Sequence, residues 1–134
     1  MAQTVDVTVY DNDIHYFTVT DTTAISKGDI LCLIDPRTAV AHNDGEGIPI
    51  GVAVEDKVSA DGQTKIGVRT RGIVDVVAVD TITVGQMVRL DTTQNQVKAI
   101  TATLSDLSLA KIFGRALETA SAGERIEVYM NTMR

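Results

Sequence analysis

A chain of 134 residues with a formal net charge of -6 and a pI of about 4.7 repels phosphate backbones and anionic membranes. Aromatics make up 4% and Trp is absent, so platforms for stacking bases are scarce as well; nucleic acid and membrane are set aside as partners. A single cysteine, Cys32 in the apolar run "DILCLI", forms no internal disulfide and reads as a buried inert thiol.

Val and Thr supply 17 residues each and Ile 12. So many β-branched side chains favour pleated sheet over helix, and the expected fold is all-β. The chain is long enough for one domain with its own core, covering 1–134. No segment has the apolar length of a membrane span, and "MAQTVDVTVYDND" lacks the basic and apolar regions of a signal peptide. Synthesis in a reducing cytoplasm is the expectation.

Residues 1–20 alternate as a β ribbon or arm. Val5, Val7 and Val9 share one face, with Thr4, Asp6, Thr8 and Tyr10 on the other. "DND" at 11–13 reads as a turn, and "IHYFTVT" resumes as a second strand. An isolated two-stranded ribbon is marginal in water, so its large apolar residues need cover. Val5, Val7, Val9, Tyr10, Tyr16 and Phe17 are therefore the candidate interface residues, with a neighbour favoured over the chain's own body.

Two motifs then recur in the same order. "ISKGDILCL" (25–33) aligns with "ITVGQMVRL" (82–90), and "GVAVEDKVSADGQTKIGV" (51–68) aligns with "GRALETASAGERIEV" (114–128). These define two similar β units, 24–68 and 81–130. In the second motif Ala-Leu-Glu favours helix, but the Gly-x-Ala frame and the Ser-Ala-Gly turn read as a hairpin. Gly28, Gly51, Gly85 and Gly114 are the structural glycines of the two units. By alternation Gly114 and Ala116 share a face with Ile112, while Phe113, Arg115 and Leu117 share the opposite one. Gly-x-Ala leaves a shallow face where another backbone can come close, and tight packing within the barrel itself is the favoured reading.

The remaining segments are a loop at 41–49, a strand region at 68–80 broken at Arg71-Gly72, and one short helix over 103–112 from Leu104, Leu107 and Ala110. The sum is a small barrel or sandwich of about eight to ten short strands, with at most one short helix.

Catalytic chemistry finds no foothold. His42 opens the loop that carries Asn43, Asp44 and Glu46, but the spacing is not that of an EF-hand, and a solvated loop is the better reading. His15 and His42 do not stand at zinc-ligand spacing, no nucleophile elbow appears, and no glycine loop cradles a phosphate. The expectation is no enzyme, no catalytic residues, no metal and no cofactor.

"VEDKVSADG" followed by "VDTITVGQMVRL" resembles the lysine hairpin of biotinyl- and lipoyl-carrier domains, with Lys57 as the modified residue. The second unit, however, has no lysine at the equivalent place, near Ala120. A generic β-sandwich binding module is the other alternative, disfavoured by the scarcity of aromatics.

"AISKGDILCL", "IPIGVAVEDKVSADGQTKIGVRTRGIVDV", and "VGQMVRLD" leading to "FGRALETASAGERIEVYM" together resemble the small capsid decoration (cement) proteins of tailed bacteriophages. The middle stretch is similar in style to the phage lambda head-decoration protein. The resemblance runs from about residue 14 to residue 130. It implies a structural virion protein without an active site, seated on the capsid outer surface. It further implies a homotrimer that bridges major capsid proteins and stabilises the head against DNA pressure.

Overall fold

The run "RIEVYM" is a strand with one wet face. In β10 (Arg125–Asn131), Ile126, Val128 and Met130 are buried while Arg125, Glu127 and Tyr129 are exposed. The computed structural model, which describes residues 14–35, 37–42, 48–100 and 111–132, places this strand in the second of two closed five-stranded barrels.

The first barrel contains β1 (Ile14–Thr18), β2 (Ile30–Asp35), β3 (Thr38–Ala41), β4 (Ile48–Ala53) and β5 (Lys65–Arg69), in the order β1-β3-β2-β4-β5. The second contains β6 (Arg71–Ala78), β7 (Met87–Leu90), β8 (Gln96–Ala99), β9 (Ile112–Ala116) and β10, in the order β10-β6-β8-β7-β9. The two rings have the same topology. Each has one parallel contact, β1 with β3 and β6 with β8, and every other pair is antiparallel. The all-β fold of two similar units is thus present, and no α-helix occurs among the described residues. Of the helix expected over 103–112, residues 103–110 lie outside the described residues, Lys111 is in 3-10 conformation, and Ile112 opens β9.

The repeat extends to single hydrogen bonds. Gly28 N donates to Ala53 O at 2.9 Å, and Gly85 N donates to Ala116 O at 2.8 Å. An isolated bridge joins Ile25 to Lys57, and its counterpart joins Ile82 to Ala120. Gly28 and Gly85 adopt φ of 95° and 90°, a left-handed turn that glycine enters without a Cβ penalty.

Alternation fails at one matched place in each unit. The β2–β4 register jumps from Leu31↔Gly51 to Cys32↔Pro49, and the β7–β9 register from Val88↔Gly114 to Arg89↔Ile112. Ile50 and Phe113 are the extra residues of these bulges, and both are buried. Phe113 therefore joins the core beside Gly114 instead of facing away from it. The strand break falls at the buried Thr70, whereas Arg71-Gly72 begins β6.

One core fills the first barrel, with Phe17, Leu31, Ile66 and Val68 among its members. The other fills the second barrel and takes in Ile30 and Cys32 from β2 of the first. β2 is buried on both faces, which explains why "ILCL" shows no polar alternation.

Candidate interaction surfaces

The two barrels are joined by a polar node beside that shared core. His42, 1% exposed, faces Asp91 O through Nε2 at 2.6 Å, and Asn95 N donates to its Nδ1 at 3.0 Å. Nδ1 must accept, so Nε2 carries the proton and donates to Asp91 O. Asn95, at φ 61°, accepts from Ile30 N through Oδ1 at 2.9 Å and donates from Nδ2 to Asp29 Oδ1 at 3.0 Å. Asp91 feels burial first, which raises its pKa. Hydrogen bonds from Thr93 and Thr92, with nearby Lys98, outweigh it and hold the carboxyl below its ordinary value.

The solvated-loop reading of His42 is therefore overturned: the ring is structural and buried. A local spacing rule could not find it, because both its partners lie about fifty residues away, at 49 and 53 positions. Repeat alignment held a clue. His42 N donates to Ile30 O as Ile100 N does to Met87 O, so the histidine occupies the place of an apolar residue. Residues 43–47 of that loop lie outside the described residues.

A groove of about 500 Å³ runs along the seam. Ile30 and Val52 of the first barrel line one side, Val74–Val77 of β6 the other, and Asn95 closes one end. On the outer face of the second barrel, Ile73, Tyr129, Arg115 and Met87 stand side by side across β6, β10, β9 and β7. Ile73 is 64% exposed and Tyr129 40%. The matching row of the first barrel is Ile14, Arg69, Val52 and Ile30, of which Ile30 and Val52 pack into the second barrel's core.

Lys57 is enclosed. Its side chain is 0% exposed, and Nζ donates to Asp21 O at 2.6 Å, Val58 O at 3.2 Å and Asp61 Oδ1 at 3.1 Å. An ammonium held this way is a fastening for the 57–61 turn, with no free face from which the amine could accept a cofactor's acyl group. Gln63 N–H, and after it Lys57, hold the Asp61 carboxyl below its ordinary value.

Of the six residues assigned to a neighbour contact, Val5, Val7, Val9 and Tyr10 lie outside the described residues. Phe17 is buried in its own barrel, because residues 14–18 form barrel strand β1, paired along its length with β5. Tyr16 is 59% exposed. Cys32 is buried, and burial pushes its thiol up to about 11. No group of three or more His, Cys, Asp or Glu able to hold a metal occurs among the described residues.

Gly51 and Gly114 sit where a backbone approaches closely, and that backbone is the chain's own, as tight packing within the barrel requires. A Cβ on Gly51 would fall on the Arg69 carbonyl oxygen and 2.8 Å from Val68 Cγ1. On Gly114 it would fall on the Tyr129 carbonyl oxygen and 2.8 Å from Val128 Cγ1.

The fold is similar to that of the crystallised N base of head fiber gp8.5 in bacteriophage phi29, with a TM-score of 0.56 and 18% sequence identity. The likeness covers 89% of this chain and 95% of that one. No curated protein sequence matches the chain. Residues 9–131 match the phage cement protein family, so that both barrels fall within the matched span and the chain belongs to that family.

Proposed function

We propose that the protein decorates the outer surface of a phage head as a homotrimer, bridging neighbouring major capsid proteins and stabilising the shell against internal DNA pressure. The observation that carries this reading is the family match across residues 9–131, which leaves little of the chain for any other task. Two barrels that share a core suit a load-bearing part, and the His42–Asn95 node beside that core couples them. The open row Ile73, Tyr129, Arg115 and Met87 is the candidate contact with capsid or neighbouring subunit. The carrier alternative at Lys57 is disfavoured by the enclosed ammonium.

The test is co-sedimentation of purified protein with undecorated, expanded capsids. Saturable binding that makes the capsids more resistant to heat supports the proposal. Protein left in the supernatant at every concentration rejects it.

A further inference from the structure

The seam groove is bordered by the main chain of β6, and the hydrogen bonds show which edge of β6 it borders. Ala78 N donates to Glu124 O and Thr132 N to Thr70 O, so the even-numbered residues of β6 bond to β10. The main-chain groups of Ile73 and Asp75 therefore point the other way. On that side β8 pairs only with Val77 and Ala78. No strand pairs with Ile73 or Asp75 on this edge among the described residues. The barrel is closed at one end of β6 and split along the rest. The split is floored by Val74 and Val76 and walled by Ile30 and Val52. Arg125 stands at its mouth, bonded to Asp75 through Oδ2 and the carbonyl oxygen, both at 2.9 Å.

We propose that this groove accepts an extended strand, residues 4 to 10 of a neighbouring copy. Main-chain bonds to Ile73 and to the Asp75 N–H would supply affinity, since Arg125 already holds the Asp75 carbonyl oxygen. Val5, Val7 and Val9, on one face of the alternating segment, match the apolar floor, and the segment carries Asp6 toward Arg125, which stands paired with Asp75 at the mouth. The residues before Ile14 include Asp6, Asp11 and Asp13 and no Lys or Arg. Fully extended, thirteen residues span about 45 Å, enough to cross from one subunit to the next.

A second copy is the occupant because the chain's own segment starts on the wrong side. Ile14 lies opposite Arg69, on the edge of β5 that Val19 N marks by donating to Thr64 O. That edge continues into the one β10 occupies along β6, where Thr132 already bonds Thr70. A direct continuation of β1 therefore meets the end of β10, and the groove opens on the opposite edge.

The test uses the full chain carrying Val7→p-benzoylphenylalanine, mixed with isotopically heavy wild-type chain and irradiated. Cross-linked peptides that join light to heavy chains and contain residues 73–77 or 94–96 are expected. Links within one chain only, links to other surfaces, or none would overturn the exchange. By light scattering at high concentration the full chain is expected to associate, and a chain lacking residues 2–12 to remain monomeric; equal masses for the two also overturn it. A full chain that binds capsids but fails both tests leaves the decoration reading standing.

Discussion

Gly51 and Gly114 hold the same place in the two barrels, each beneath a carbonyl oxygen of the neighbouring strand, Arg69 in one and Tyr129 in the other. Each follows a bulge residue that points into the core, Ile50 or Phe113. Bulge and close approach come as a pair. The strand gains a residue, bends inward, and its next residue has no room for a side chain.

Gly51→Val and Gly114→Val should each lower stability by roughly 1 to 3 kcal/mol through overpacking and backbone displacement. Gly28→Ala and Gly85→Ala meet no atom within 4 Å and should show only the strain of their positive φ, about 1 kcal/mol. Denaturant midpoints of the four variants check the order. Unchanged midpoints at 51 and 114 would mean the close approach imposes no constraint.

Lys57→Met keeps the aliphatic stem but strips three acceptors of their donor, and a loss of about 1 to 3 kcal/mol is expected. In the native protein an amine-acylating reagent should modify Lys27 and Lys65, both exposed, well before the enclosed Lys57. Mass spectrometry of the labelled peptides reads the order directly. Early labelling of Lys57 would revive the carrier alternative.

Acid should weaken the fold in a defined window. Asp61 and Asp91 both have carboxyls held below their ordinary values in the folded state. A depressed folded pKa stabilises above the unfolded value, about 4, and that contribution is lost as pH falls through the lower folded values. The denaturation midpoint should thus stay level as pH falls toward about 4 and drop below it. Asp61→Asn and Asp91→Asn should lower the midpoint at neutral pH and flatten the acid limb. An acid limb unchanged in both variants would locate the sensitivity in other groups.

Much of the fold could be read from the chain, because the repeat recurs in its turns: Gly28 and Gly85 are required by their left-handed φ, whatever surrounds them. The alternation in β10 was equally plain, since one of its faces meets water. What stayed hidden depends on distant partners. An extra bulge residue looks in sequence like any other apolar residue, so alternation assigns Phe113 to the wrong face. Phe17 reads as an arm residue until β5 pairs with β1. The seam residues His42 and Asn95 meet across 53 positions, where neither spacing nor periodicity carries information.

Deleting residues 2–12 removes Val5, Val7, Val9 and Tyr10 but leaves both barrels complete. The truncated protein should keep the far-ultraviolet signal per residue of the described barrels and bind capsids much more weakly. Capsid binding equal to that of the full chain would remove the segment from the attachment.

Averaged electron density of decorated heads decides whether trimers coat the capsid exterior. Three copies of the two-barrel body are expected around each three-fold or quasi-three-fold position, outside the shell and touching more than one capsid subunit. Density inside the shell, or isolated copies each resting on a single capsid subunit, would contradict it.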